Sequence, residues 1–263
     1  LQDFPIDRAY PGIFSPEDAA RLAGMMGPPE LCRARTRVVR SFVPLDRSLY
    51  LTRGFVGRYN LDRRGRRQFL ALQIPGDYFD LSAYQLRVLD HEVDALGDAM
   101  VRPTAHADLD RLESERPDLY RKLWHISLID ASIYRYWVFR TGRLAGRARL
   151  ANFLSEMFVR LYARGLCMPD GYTLPLSQND LAEVTGMTAV HVNRLLRELR
   201  LEGVCTLAEG RVLIHNLPAL IATGQYSTGY LFLAPAVERD IHELVRAGNG
   251  TRTPARAVLG GGG

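Results

Sequence analysis

The sequence predicts an α+β protein: an N-terminal β-barrel of jelly-roll type, one long helix, and a C-terminal winged helix-turn-helix. Three observations predict it. Residues 33–103 hold short β-branched and aromatic runs separated by turn residues. From Pro117 to about Arg143, apolar residues recur at helical spacing. Residues 176–217 carry two short amphipathic patterns around a glycine, then two β-runs around a Glu–Gly pair. On this reading the 263 residues divide into a barrel at 1–116, a helix at 117–143, a winged helix-turn-helix at 144–235 and a tail at 236–263.

In the barrel, Val38–Val39, Ser48–Leu51, Phe55–Tyr59, Gln68–Leu72 and Asp77–Leu81 are the expected strands. Asp62–Gly65 and Pro75–Gly76 are the expected turns. Close spacing of short strands suits a barrel or jelly roll better than a parallel sheet. The arginine runs at Arg33, Arg35, Arg37 and Arg40, and at Arg63, Arg64, Arg66 and Arg67, read as solvated strand and turn positions.

Pro117 opens the long helix, since proline is tolerated in a first turn. Leu119, Leu123, Ile126, Asp130, Ile133 and Trp137 follow at spacings of 4, 3, 4, 3 and 4, the alternation of a coiled-coil seam. This predicts a dimer interface with Asp130 as its one polar position. The flanking Leu128, Ala131 and Tyr134 are then expected to pack on the chain's own barrel. A monomer with a two-sided core helix is the competing reading. Gly142 and Gly146 bracket a hinge, and residues 147–164 form the next amphipathic helix.

Ser177 is the expected N-cap of the first helix of the pair, with Asp180 three residues on. Gly186 supplies the tight turn and Thr188 caps the second helix. Val192, Leu195, Leu196 and Leu199 form its buried stripe. Its other side carries His191, Asn193, Arg194, Arg197 and Arg200, groups that meet base edges and phosphates when a helix lies in a major groove. Gly203 ends that helix, and Val204–Leu207 and Arg211–Ile214 make a hairpin. From periodicity alone, a small helical domain with a merely solvated polar face competes with this reading.

These residues also carry a family resemblance. Gln178, Asp180–Leu181–Ala182, Gly186, Val190–His191–Val192–Asn193–Arg194, Leu196, Leu199 and Gly203 resemble the DNA-binding domain of Crp–Fnr transcription regulators. The run Thr188–Arg194 is similar to one branch of that family. In the N-terminal half, Gly54–Tyr59, Gly65–Gln68 and Leu72–Phe79 resemble, more loosely, the family's cyclic-nucleotide-binding-like barrel.

The resemblance implies a homodimer on double-stranded DNA, with RNA polymerase as a further partner. Two recognition helices would meet successive major grooves about 34 Å apart. Arg194 is the expected guanine reader, because a guanidinium engages O6 and N7 together. Ser177, Gln178, Thr188, Ala189, Val190, His191, Asn193, Arg197 and Arg211 complete the candidate DNA-binding set. Val190 is placed to touch a thymine methyl, and Gln178, Thr188 and Arg197 to hold the backbone.

The candidate effector pocket is Gly76, Asp77, Tyr78, Arg87 and His91. It departs from the family's cyclic-nucleotide site in three ways. Asp77 is one methylene shorter than the glutamate that would hold a ribose. Leu89–Val93 replaces the expected arginine pair, with Asp90, Glu92 and Asp94 making the neighbourhood repel a phosphodiester. Arg87 is out of register. Cyclic AMP is therefore not expected, and the effector is unassigned; a barrel with no effector is an open alternative.

Composition fits and excludes. A formal charge of +5 suits a polyanionic partner, yet Ser177–Ile214 has four arginines against five acids. Cys32, Cys167 and Cys205 have neither metal nor disulfide spacing, so no cofactor is expected, an iron–sulfur cluster included. No run reaches the roughly 20 apolar residues of a membrane span. No N-terminal signal pattern precedes the fold, and a cytoplasmic location is expected. The competing class is a cupin-type metal enzyme, but the six histidines are dispersed and no H-x-H or phosphate-binding glycine motif occurs. No enzyme is expected, and no metal site.

Overall fold

The computed structural model describes residues 4–248. Two short helices, α1 (Ile6–Ala9) and α2 (Pro16–Met25), lead into eight strands: β1 (Glu30–Cys32), β2 (Arg37–Val39), β3 (Arg47–Arg53), β4 (Val56–Leu61), β5 (Arg67–Gln73), β6 (Tyr78–Phe79), β7 (Glu92–Ala95) and β8 (Ala99–Ala105). A short helix, α3 (Ser82–Leu86), lies between β6 and β7. The strands form two antiparallel four-stranded sheets, ordered β1-β8-β3-β6 and β2-β7-β4-β5, rather than one closed barrel. Leu49, Leu51, Val56, Phe79, Leu89, Val93 and Val101 form the core between them. On the other face of β4, Gly57 is required because a Cβ would stand 2.3 Å from the Phe69 ring, which belongs to the separate core shared with α6.

Every expected strand lies on or beside an observed one, but β1, β7 and β8 were not expected. In β7, Glu92 and Asp94 alternate with buried Val93 and Ala95. The carboxylates look outward to Arg37 and Arg67, so the acidic run is a strand with a charged outer face. Pro103 disguises β8. It is tolerated because β1 covers β8 only as far as Val101, so no ladder bond is lost at the proline.

Helix α4 (His106–Glu115) precedes α5 (Pro117–Arg143), whose 27 residues span about 40 Å. Here the predicted seam is corrected. Leu119, Leu123 and Ile126 are buried against Leu22, Tyr50, Tyr78, Leu109 and Leu112 of the same chain. Ile133 and Trp137 are buried against α6 (Gly146–Ala163), and Asp130 is ion-paired to Arg58 of β4. All six face inward. Of the flanking residues, Tyr134 does pack on the strands, against Arg58, whereas Leu128 is left free together with Trp124 and Val138, at 53%, 54% and 75% exposure. The 4–3 spacing marks a buried stripe but does not say what buries it. Burial of a leucine stabilises by about 1.5–3 kcal/mol, and the chain's own core claims it first.

The C-terminal part contains β9 (Gly171–Thr173), α7 (Gln178–Thr185), α8 (Ala189–Leu201), β10 (Cys205–Ala208), β11 (Arg211–Ile214), α9 (Leu217–Thr223) and α10 (Pro235–Ala247). The wing is three-stranded, ordered β10-β11-β9. The segment read as a tail is helical through Ala247, with Ile241 and Leu244 buried in the core of this part. Among the described residues no helix is long and apolar enough to cross a membrane.

Candidate DNA-binding interface

Helix α7 starts on a complete capping box. The Ser177 hydroxyl accepts from the Asp180 amide at 3.1 Å, and the Asp180 carboxylate accepts from the Ser177 amide at 2.7 Å. Gly186 ends it at φ 63°, the left-handed conformation that lets the chain reverse. The Thr188 hydroxyl then accepts from the His191 amide at 3.2 Å and opens α8. These bonds are all local, so the start and end of α7 and the start of α8 are specified within residues 177–191.

Val192, Leu195 and Leu199 bury one side of α8. The opposite side is open: Val190 is 81% exposed, and Asn193, Arg194, Arg197 and Arg200 are exposed. The Asn193 amide donates to Gln178 Oε1 at 2.7 Å, joining α8 to the start of α7. Arg194 Nη1 donates to Glu198 at 3.0 Å, and Nη2 meets His191 Nδ1 at 3.1 Å. Ser177 and Gln178 are exposed beside them, Ala189 is half-buried, and Arg211 stands exposed on the wing strand β11. The hairpin between β10 and β11 turns through Glu209 and Gly210, both at positive φ, a two-residue turn that suits strand twist.

His191 is half-buried toward Gly146, where an added Cβ would come 2.7 Å from its Nε2. The other ring nitrogen, Nδ1, faces Arg194.

The family described as the Crp-like helix-turn-helix domain matches residues 148–223. The chain carries a Crp-like helix-turn-helix domain. The nitrogen fixation regulation protein FixK of Bradyrhizobium diazoefficiens is 29% identical over 160 residues, 60% of this chain and 66% of the relative. The anaerobic regulatory protein of Pasteurella multocida is 25% identical over 179 residues, 68% of this chain and 65% of the relative. These alignments span just under two thirds of either relative's length. The solved structure of FixK2 from Bradyrhizobium japonicum shares the fold at a TM-score of 0.66 and 23% identity, covering 74% of this chain and 96% of that one.

The Crp-like domain reaches back into the candidate effector pocket and uses up its key carboxylate. Asp77 is buried and accepts from Arg160 Nη2 at 2.9 Å and Arg164 Nη2 at 2.6 Å, both on or just past α6. Burial alone would raise its pKa; Arg164 and Arg160 outweigh that and hold it below the ordinary carboxylate value. The five pocket candidates are not brought together. Gly76 takes the left-handed turn at φ 96°, and Asp77 and Tyr78 border a cleft between α5, α6 and Leu231–Val237. Arg87 pairs instead with His106 at 3.2 Å, and His91 bridges Asp80 and Asp90.

Sequence reasoning missed the arginines that organise this region. Arg58 is 1% exposed, with Asp80 at 2.8 Å, Asp130 at 2.7 Å and the Tyr134 hydroxyl around it. Arg160 and Arg164 stand four residues apart at the end of α6, on a largely apolar buried side that also carries Glu156. That was the available signal: a charged pair on a buried face needs a buried counter-ion. Among the described residues no three His, Cys, Asp or Glu side chains are grouped to hold a metal.

Proposed function

We propose that this protein is a homodimeric, sequence-specific DNA-binding transcription regulator whose helix α8 enters the major groove. The observation that carries this reading is the solvent face of α8, where Val190, Asn193, Arg194 and Arg197 stand open beside Ser177 and Gln178. Arg194 reads a guanine edge, Val190 meets a thymine methyl, and the amide-rich start of α7 meets phosphate. The run Thr188–Arg194 supports placement in the branch of Crp–Fnr regulators that it resembles. The regulatory names of the relatives support the same role.

Dimerisation runs through the outward side of α5. Trp124, Leu128, Ala131, Arg135, Val138 and Gly142 repeat at 4, 3, 4, 3 and 4, the same alternation as the buried stripe, on a face the chain does not cover. RNA polymerase is the downstream partner of such a regulator, which works in the cytoplasm. The β-domain takes no cyclic nucleotide: Asp77 is consumed by Arg160 and Arg164, and β7 presents Glu92 and Asp94. This favours regulation independent of that effector class.

Selection of bound fragments from random duplex DNA tests the reading. It predicts an enriched sequence of inverted symmetry with half-sites about one helical turn apart. Enrichment of no sequence would reject it.

A further inference from the structure

The α7 end of the interface is acidic: Asp180 and Glu183 lie on the helix that, in a helix-turn-helix, crosses the DNA backbone. Both are met by arginines from the β-domain. Arg35 Nη2 lies 2.7 Å from Asp180 Oδ2, and Arg67 Nη2 lies 3.1 Å from Asp180 Oδ1 and 2.8 Å from Glu183. Arg67 also makes cation–π contacts, its guanidinium 5.3 Å from the ring centroids of both Tyr59 and Phe69. Arg35 sits at φ 64° between β1 and β2, its amide bonded to Ala95 O at 2.8 Å. Its side chain remains 47% exposed. Its two Nη atoms grip both oxygens of the carboxylate that accepts from the Ser177 amide and hydroxyl, so its half-exposed guanidinium shares that carboxylate with the cap of α7.

We propose that the β-domain is itself part of the DNA interface. Arg35 and Arg67 neutralise Asp180 and Glu183, and Arg35 offers its outward N–H groups to an operator phosphate next to Ser177 and Gln178. The docked arrangement of the two domains is then the one competent for DNA. An undocked domain would present two uncompensated carboxylates to the polyanion. The charge deficit of the helix-turn-helix segment is made good by arginines 145 and 113 residues before Asp180 in the same chain.

This inference rests on the DNA-binding reading and has its own test. Fluorescence anisotropy of the full chain would follow binding to the selected duplex and to a scrambled one, between 50 and 200 mM salt. Arg35→Ala is expected to weaken both duplexes about tenfold and to lower the salt slope by about one. Arg35→Lys should recover most of the slope. Arg35→Ala binding both duplexes with wild-type affinity and slope would overturn the proposal. So would a loss confined to the selected duplex, because a phosphate contact acts on every sequence. The parent reading is carried separately, by the wild-type preference for the selected duplex over the scrambled one.

Discussion

The guanidinium of Arg58 reaches Asp130 across 2.7 Å and ties strand β4 to the middle of α5. The same guanidinium holds Asp80 at 2.8 Å. Three charges thus share a site from which water is largely excluded, and each is bearable only with the others present. Arg58→Ala should lower stability by about 3–5 kcal/mol, because two carboxylates lose their counter-ion. Urea unfolding read by far-ultraviolet circular dichroism checks this. A midpoint equal to wild type would show that the pair is not buried as described.

The two sides of α5 should respond oppositely to charge. Leu128→Glu, on the exposed side, is expected to leave a folded chain that sediments as a monomer. Ile133→Glu, on the buried side, should prevent stable folding, since an unpaired charge would enter the core. Sedimentation equilibrium alongside circular dichroism separates the cases. A folded Leu128→Glu dimer would place the interface elsewhere.

His91 gives the fold a pH dependence of known sign. Burial lowers its pKa, but bonding and attraction to Asp80, with Asp90 on its other nitrogen, leave the net shift upward despite Arg58 nearby. A group raised in the folded state contributes stability that is fully present below its unfolded value of about 6.5 and is lost as pH rises through the folded value. The wild-type Tm should therefore fall, relative to His91→Asn, as pH rises from about 6 to 8. Asp77 acts the other way, adding stability above its unfolded value that disappears in acid. A Tm difference independent of pH would contradict the His91 assignment.

Cyclic AMP and cyclic GMP should leave the Tm unchanged. A ligand at 100 times its dissociation constant adds about 2.7 kcal/mol, an effect large enough to register in a thermal shift. A rise of several degrees with either nucleotide would show that Asp77 can be freed from Arg160 and Arg164.

How much of this was legible in the sequence depended on the range of each signal. The helix-turn-helix was written locally: Ser177 and Asp180 cap each other over three residues, and Gly186 alone fits the reversal. The extent of α5 was equally plain from Pro117 and its apolar repeat. Its orientation was not, because Leu123 and Leu128 are equally apolar and only the tertiary fold decides which is covered. The arginine runs misled for the same reason. Arg35, Arg37 and Arg67 find their carboxylates on distant elements, and composition contains no trace of that pairing. In the candidate site, Asn193, Arg194 and Gln178 were legible as a polar helix face. The turn of His191 toward Gly146 was not, being set by how α6 packs beneath α8.

The most direct measurement is a gel shift comparing wild type with Arg194→Ala on the selected duplex and on scrambled competitor. Arg194 is exposed and its loss should not disturb the fold. Arg194→Ala is expected to lose about 1–3 kcal/mol of discrimination per guanine contact, so that the preference for the selected duplex shrinks by about ten- to a hundredfold. An unaltered preference for the selected duplex would contradict it.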